Sequence, residues 1–292
     1  MAQMRVLENE ELKIQVSDEG AELCSVYDKR KDREALWTAD PLYWARHAPV
    51  LFPFVGKVNG GYYTYEGKKY PMGQHGFARD RRFECVEMGE SHVTHRLKSD
   101  EESWKVYPFD FVLEITHKIE GSCVTVEWKV ENPGKKRMYF SIGGHPGFCV
   151  TQQTGCTLVF DGQESLERVS INLEAAAVDA EHPEILKLDN GACSVDAHTF
   201  DKDALIFDHG QVKKVSLVDS DGTKLVTMRC PDALSLGIWA PAGGEAPFIC
   251  LEPWIGRCDN MGFDGELKDK FDEQSLEPGE RFRSSYDILI GE

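Results

Sequence analysis

The amino-acid sequence predicts an all-β protein, built as one large antiparallel β-sandwich of two or more packed sheets. Apolar and polar residues alternate with a period of two along most of the chain, which is typical of strands that bury one face. Turn signals rich in glycine, asparagine and aspartate separate these runs, and long helical periodicity is nearly absent. Because no linker, repeat or low-complexity tract interrupts the pattern, we expect residues 1–292 to form a single domain.

The alternation identifies the individual strands in chain order. The clearest runs cover residues 12–16, 109–115, 124–130 and 234–238. Hairpin turns are expected at residues 66–67, 89–90, 120–121, 189–191 and 219–222. Two further short turns are expected near residues 40–46 and 168–177, and the last strand should begin after Pro278-Gly279. The predicted strands are therefore short and joined mostly by tight turns.

Charge and cysteine content exclude several classes of partner and compartment. Lysine and arginine total 33 against 50 acidic residues, which gives a net charge of −17. This charge repels nucleic-acid phosphates and anionic lipid, so neither nucleic acid nor membrane is an expected partner. The nine cysteines are scattered without a CxxC pair, and no apolar run approaches the roughly 20 residues of a membrane helix. We therefore expect a reduced, cytoplasmic protein.

Three segments break the strand pattern and concentrate glycine, proline and histidine: residues 49–57, 74–80 and 141–148. Within them His75 and His145 are each flanked by glycine, which lets a backbone or a ligand approach closely. A fourth segment places Glu252 after an apolar run, where an unpaired carboxylate is costly. Glu252 should therefore either form an ion pair, with Arg79 or Arg257, or serve a function. The other histidines, at positions 47, 92, 95, 117, 182, 198 and 209, are expected in solvent or in turns.

The order of five motifs resembles the aldose 1-epimerase (galactose mutarotase) family, and most of all its LacX-like branch. The motifs are FPFVGKVNGGYY, QHGFARD, SIGGHPGF, DALIFD and LEPWIGRCD, and the resemblance spans about residues 12–288. It implies the galactose mutarotase-like β-supersandwich, which agrees with the strand pattern. It also implies that the chain is an isomerase.

The resemblance implies a role for each matching residue. His145 matches the general acid, Glu252 the general base, and His75 the catalytic-site histidine that hydrogen-bonds the sugar. For substrate binding, Lys57 stands where the family usually has arginine, and Asp203 is preferred over Asp201 as the sugar-binding aspartate. Arg79 is assigned to the substrate-binding group, with a structural role in bracing the His75 loop.

The implied reaction is the interconversion of α and β anomers of a free aldohexose. A base takes the proton from O1, an acid protonates the ring oxygen, and the ring opens and recloses on the other face. Carboxylate and imidazole suit these two tasks near neutral pH. No cofactor is expected, because the sequence has no nucleotide-binding loop, and no metal, because the HxH and HxxxH spacings are lacking.

Three alternatives stay open. The first is a hexose-6-phosphate mutarotase, whose phosphate would need cations such as Lys57, Arg79, Arg81 and Arg82. The second is a non-catalytic carbohydrate-binding or regulatory protein of the same fold, and the third is a sandwich-fold polysaccharide lyase or hydrolase. A small-molecule sugar is the expected substrate in the preferred interpretation, but the sequence names neither the sugar nor the oligomeric state, and a homodimer remains an alternative.

Overall fold

Strands dominate the computed structural model of the chain, which describes residues 3–291. About 49% of the residues lie in strands and 5% in helices, so the all-β prediction is confirmed. The first strands are β1 (Met4–Glu8), β2 (Leu12–Ser17), β3 (Leu23–Asp28), β4 (Arg33–Glu34), β5 (Val50–Leu51), β6 (Tyr62–Tyr65), β7 (Lys68–Pro71), β8 (Glu84–Met88) and β9 (His92–Lys98). The central ones are β10 (Val112–Glu120), β11 (Cys123–Glu131), β12 (Met138–Phe140), β13 (Ile142–Gly144), β14 (Gly147–Cys149), β15 (Thr157–Phe160), β16 (Ser165–Asn172), β17 (Ala177–Lys187) and β18 (Ala192–Ser194). The last are β19 (Leu205–Phe207), β20 (Lys214–Val218), β21 (Lys224–Arg229), β22 (Ser235–Trp239), β23 (Phe248–Ile255), β24 (Gln274–Leu276) and β25 (Arg281–Ile290).

Helical structure is short and lies between strands. The α-helix α1 covers Glu101–Val106, and single 3₁₀ turns cover Asn59–Gly61, Ala78–Asp80 and Leu267–Asp269. Asp100 caps α1, because its side chain accepts a hydrogen bond from the backbone N–H of Ser103 while the Ser103 hydroxyl accepts one from Asp100. Within residues 3–291, no helix has the length and apolar character needed to cross a bilayer.

Two large antiparallel sheets form the body of the molecule. The nine-stranded sheet has the order β18-β15-β20-β21-β25-β11-β10-β9-β8. The eight-stranded sheet has the order β17-β16-β19-β22-β23-β13-β5, and β14 also pairs with β23. Smaller sheets are formed by β1-β2-β3-β4, β6-β7 and β12-β24. One cluster of buried side chains contains Leu113 and Val126 from the first large sheet and Leu236 and Leu251 from the second, so a shared core joins them.

The alternation predicted for the longest hairpin is confirmed by its burial. Every second residue of β10 and β11 is buried, and Ile115 lies opposite Trp128 across the pair. Gly121 closes this hairpin with a φ of 53°, a conformation that glycine adopts without steric cost. The predicted strand at residues 109–115 begins later than expected, at Val112, although Phe109 and Phe111 are buried in front of it.

The turn predicted near residues 168–177 is shorter than expected. Residues up to Asn172 belong to β16, and β17 begins at Ala177, so only residues 173–176 form a turn. A register shift between Arg168 and Ser170 breaks the period-two pattern of this strand. This bulge is the physical reason that the alternation does not identify β16 in the sequence.

The expectation that His95 and His117 are solvated or incidental is wrong as well. His95 is 0% exposed and His117 is 1% exposed, on the core side of β9 and β10. Burial, with a smaller contribution from the charge of His95, lowers the pKa of His117 to about 3. His117 therefore occupies the core as a neutral imidazole at neutral pH.

We expect acid to destabilise the fold through His117. Between its unfolded pKa of about 6.5 and the folded value near 3, the unfolded chain binds a proton that the native chain does not, so stability falls as the pH falls. Urea unfolding at pH 7 and pH 5 measures this loss. Between pH 7 and pH 5, the free energy of unfolding of His117→Leu should fall by about 2 kcal/mol less than that of the wild type. The exposed His182→Gln serves as the control, and equal losses in His117→Leu and wild type would contradict the prediction.

Candidate active site

A cavity of about 510 Å³ lies against the eight-stranded sheet, a volume typical of small-molecule sites. It brings together all six side chains that the sequence analysis selected: Lys57, His75, Arg79, His145, Asp203 and Glu252. These residues come from five segments that are distant in the sequence, and the sheet gathers them at one place.

Strand pairing sets the position of Glu252 and His145. Glu252 lies on β23 opposite Gly237 of β22. On the other side of β23, β13 pairs with residues 254–255 and β14 pairs with residues 248–250. His145 lies in the short link between β13 and β14, and its Nε2 atom is 3.2 Å from Oε2 of Glu252. The acid–base pair therefore spans two neighbouring strands of one sheet.

Burial favours the uncharged form of both members of this pair. His145 is 7% exposed and Glu252 is 1% exposed. Burial, together with the charges of Arg79 and Arg46, lowers the pKa of His145 to about 3. Burial and the nearby charge of Asp203 raise the pKa of Glu252 well above its usual range. The uncharged form of the pair carries its one proton on the carboxyl group.

His75 is fixed in one tautomer by the backbone. The N–H of Gly56 donates a hydrogen bond to its Nδ1 atom at 3.1 Å, and the N–H of His75 donates to the carbonyl of Gly56 at 2.8 Å. The ring proton therefore sits on Nε2, because Nδ1 accepts. Burial lowers the pKa of His75 well below its usual range, so the imidazole is neutral. His75 thus offers a neutral N–H donor.

Gly76 allows the His75 loop to pack this closely. A Cβ atom at position 76 would lie 2.2 Å from the carbonyl oxygen of Phe52, and the backbone φ of 71° favours glycine. The N–H groups of Phe77 and Ala78 both donate to that same carbonyl. The QHGFARD motif therefore forms a loop clamped onto the segment that carries Lys57.

The charged residues at the cavity have different partners. Lys57 is exposed, and within residues 3–291 it forms no ion pair. Nη2 of Arg79 donates a hydrogen bond to the carbonyl of Gln74 at 2.8 Å. Gln74 precedes His75, so this contact is as expected for a residue that braces the His75 loop. Of the two candidate aspartates, Asp203 lines the cavity, whereas Asp201 accepts a hydrogen bond from His198 at the surface.

Of the arginines proposed as ion-pair partners of Glu252 or as phosphate ligands, Arg79 lines the cavity, whereas Arg81, Arg82 and Arg257 do not. Arg257 binds Asp208 at 2.9 Å in the interior, so it does not neutralise Glu252. Arg81 pairs with Asp100, and Arg82 lies 4.0 Å from Asp18. Neither Arg81 nor Arg82 lines the cavity.

Among the residues of the cavity wall that sequence reasoning missed are Trp44, Arg46 and Trp239. Trp44 stacks on the His145 ring with centroids 4.7 Å apart, and Trp239 meets the same ring edge-on at 5.6 Å. Arg46 forms an ion pair with Asp80 at 2.7 Å. A partial signal existed for Trp239, since it lies on the face of β22 opposite to Leu236 and Ile238. Trp44 and Arg46 lie in an irregular segment that offers no such pattern.

Comparison with known proteins identifies the family and the fold of the chain. The family model described as aldose 1-epimerase matches residues 3–288. Plasmid-encoded protein LacX of Lactococcus lactis subsp. lactis is 30% identical over 303 residues, covering 97% of this chain and 98% of that protein. A galactose mutarotase related enzyme from Lactobacillus acidophilus superposes with a TM-score of 0.94 at 33% identity, covering 99% of this chain and 98% of that one. A galactose mutarotase-like protein from Lactobacillus casei ATCC 334 gives 0.91 at 28% identity, covering 99% and 100%. The predicted supersandwich and the predicted LacX-like resemblance are therefore both confirmed.

Proposed function

Because the chain belongs to the aldose 1-epimerase family, we propose that it interconverts the α and β anomers of a free aldohexose. The observation that carries this proposal is the buried contact of 3.2 Å between Nε2 of His145 and Oε2 of Glu252 at the cavity wall. Because both groups line the same cavity, they can contact one small ligand together. One of them can then accept a proton while the other donates one. Ring opening needs one acceptor and one donor.

In the proposed mechanism, Glu252 in its ionised form takes the proton from O1 while protonated His145 donates to the ring oxygen. The reactive pair then carries one proton in total, the same number as a neutral imidazole beside a neutral carboxyl group. Moving that proton from Glu252 to His145 across 3.2 Å prepares the reactive form. A bound sugar supports this transfer, because its hydroxyl groups solvate the charges that burial otherwise disfavours.

The remaining cavity residues bind and orient the sugar. His75 donates Nε2–H to a sugar oxygen, and Asp203 accepts from a hydroxyl group. Trp44, stacked on His145, excludes water from one face of the imidazole. Lys57 donates as a single point charge where a bidentate guanidinium would fix two oxygens, so it constrains the sugar less. These groups increase the fraction of bound sugar that lies in the reactive orientation, while His145 and Glu252 transfer the protons.

One observation favours a phosphorylated hexose as a second candidate substrate. Arg46, Lys57 and Arg79 all reach the cavity, and the charges of all three lower the pKa of His75. Arg46 and Arg79 share Asp80, at 2.7 and 3.8 Å, which leaves Lys57 as the cation most available to a phosphate. A carbohydrate-binding module of the same fold would need neither these cations nor a matched acid and base.

Anomer equilibration followed by polarimetry tests the proposal. Fresh α-glucose, α-galactose, glucose 6-phosphate and galactose 6-phosphate are compared with and without the protein after EDTA treatment. We expect acceleration for at least one free aldohexose. Acceleration of the 6-phosphates alone, lost in Lys57→Ala, would instead support the second candidate. Binding of sugars without any acceleration would overturn both and support a binding protein.

A further inference from the structure

A buried thiol lies behind the acid–base pair and takes no part in the proposed reaction. The thiol of Cys250 and ligand atoms of His145 and Glu252 lie within 4.8 Å of one another. Cys250 is 0% exposed, and it does not line the cavity. His145 and Glu252 line the cavity and Cys250 lies behind them, so the three side chains form a compact cluster of nitrogen, sulfur and oxygen.

The strand geometry explains why these atoms converge. Cys250 and Glu252 are two residues apart on β23, so both project toward the same side of the sheet. Ile249 and Leu251, on the opposite side, belong to the main core. His145 approaches from the β13–β14 link, where the N–H of Leu251 donates to the carbonyl of Pro146 at 3.2 Å. The cluster is thus built on paired backbone.

The distance between the His145 and Glu252 ligand atoms matches that of two ligands around a tetrahedral metal ion. Metal–nitrogen and metal–oxygen bonds of about 2.05 Å place two ligand atoms about 3.3 Å apart in a tetrahedron. Nε2 of His145 and Oε2 of Glu252 are separated by 3.2 Å. Oε2 is buried, and its 3.2 Å contact with Nε2 of His145 does not have the geometry of a hydrogen bond. A cation bound between the two atoms would coordinate both of them.

We propose that His145, Cys250 and Glu252 form a binding site for a thiophilic divalent cation such as Zn²⁺, and that the bound cation blocks anomerisation. Binding releases two protons to the buffer, one from the S–H bond of Cys250 and one from the O–H bond of the Glu252 carboxyl group, so that the thiolate, the neutral imidazole and the carboxylate coordinate the ion. Three protein ligands leave the fourth position of a tetrahedral ion to water, as in other zinc sites with three protein ligands. The thiolate favours Zn²⁺ and Co²⁺ over Mg²⁺ and Ca²⁺.

The blocking effect rests on the proposed function, whereas cation binding does not. A cation on Nε2 of His145 and on the carboxylate of Glu252 occupies the lone pairs that the proton transfers require. A sugar can then still bind in the cavity, but no acid or base is free to transfer its protons. Inhibition should therefore lower kcat and be reversed when EDTA removes the ion.

A second group of possible ligands, Glu22, Cys24 and His47, provides a matched control. There the carboxylate is already satisfied, because Oε1 of Glu22 accepts the backbone N–H groups of His47 and Ala48 at 2.7 and 3.0 Å. Cys24→Ser removes a thiol from this group without touching the cavity. It tests whether the cation uses Cys250 specifically.

Co²⁺ titration of the reduced, metal-free protein tests binding directly. We expect a near-ultraviolet thiolate-to-cobalt charge-transfer band and visible bands of tetrahedral Co²⁺, both abolished by added Zn²⁺ and unchanged by excess Mg²⁺. Cys250→Ser should lose the charge-transfer band and Cys24→Ser should keep it. Glu252→Gln keeps the thiol, so the band should still form, but the affinity for Co²⁺ should fall by at least about 10-fold. Circular dichroism checks that each variant is folded.

The inhibition test uses anomer equilibration with increasing Zn²⁺. Cys250→Ser should need at least about 10-fold more Zn²⁺ for half-inhibition than the wild type or Cys24→Ser, each relative to its own uninhibited rate. No cobalt band, or a band that depends on Cys24, would overturn the proposal. If the cobalt band depends on Cys250 but the protein does not accelerate anomer equilibration, the cation site would be supported and the proposed function would be rejected.

Discussion

Replacing Glu252 with glutamine is expected to lower kcat for anomer equilibration by about 10²-fold or more. The amide keeps the size of the carboxyl group and a hydrogen-bonding oxygen, but it cannot accept a proton from O1. His145→Asn should lower kcat similarly, because it removes the group that protonates the ring oxygen. Sugar affinity should change much less, since the lost interaction is made mainly in the transition state.

The double variant distinguishes a working pair from two independent contacts. When two groups serve one proton transfer, removing the second costs little once the first is gone, so Glu252→Gln/His145→Asn should be only slightly slower than either single variant. Glu273→Gln is the matched control, because the Glu273 carboxyl accepts a hydrogen bond from Ser141 at 3.1 Å but does not line the cavity. If both single variants retain the wild-type kcat, the assignment of the acid and the base is wrong.

Asp208→Asn should destabilise the fold by about 3–5 kcal/mol, because it leaves the charge of Arg257 buried without its counter-ion. Arg257 is 1% exposed, and its Nε donates to Asp208 at 2.9 Å. Its guanidinium also lies 4.0 Å from the ring centroid of Phe271, and the Ser235 hydroxyl donates to Asp208 at 2.7 Å. Guanidinium chloride unfolding measures the change in the free energy of unfolding.

Two comparisons sharpen this second prediction. Asp161→Asn breaks an exposed ion pair with Lys214 and should cost no more than about 1 kcal/mol. The double variant Asp208→Leu/Arg257→Met removes both charges and should be more stable than Asp208→Asn, since no buried charge is left alone. An Asp208→Asn protein as stable as the wild type would show that the interior solvates Arg257 by other means.

The sequence predicted the fold class well, because most strands are short and bury one face. It failed where local rules were broken: the bulge between Arg168 and Ser170 hides β16 from a period-two search. The helix α1 was overlooked although Asp100 and Ser103 carry the spacing of a capping box. Six residues are too few to produce helical periodicity, so only the cap could have revealed it.

The candidate site was predictable to the extent that its residues lie in motifs. His75, His145 and Glu252 stand beside glycine or proline in segments that depart from the strand pattern. Trp44 and Arg46 have no such context, and they reach the cavity only through packing between distant segments. The ion-pair partner of Arg257 was also not predictable from the sequence, because many carboxylates could pair with it and only the fold brings Asp208 to it.

The attachment of His145 and Glu252 to adjacent paired strands has a consequence for how this protein could diverge. Their separation is fixed by an interstrand hydrogen-bonding distance, which insertions elsewhere cannot change. Lys57, Asp203 and Trp44, by contrast, reach the cavity from loops and turns, whose length and composition vary freely without disturbing the sheet. Under the proposed function, substrate choice and proton transfer are therefore separable traits, and we expect relatives with exchanged loops to act on different sugars at similar chemical rates.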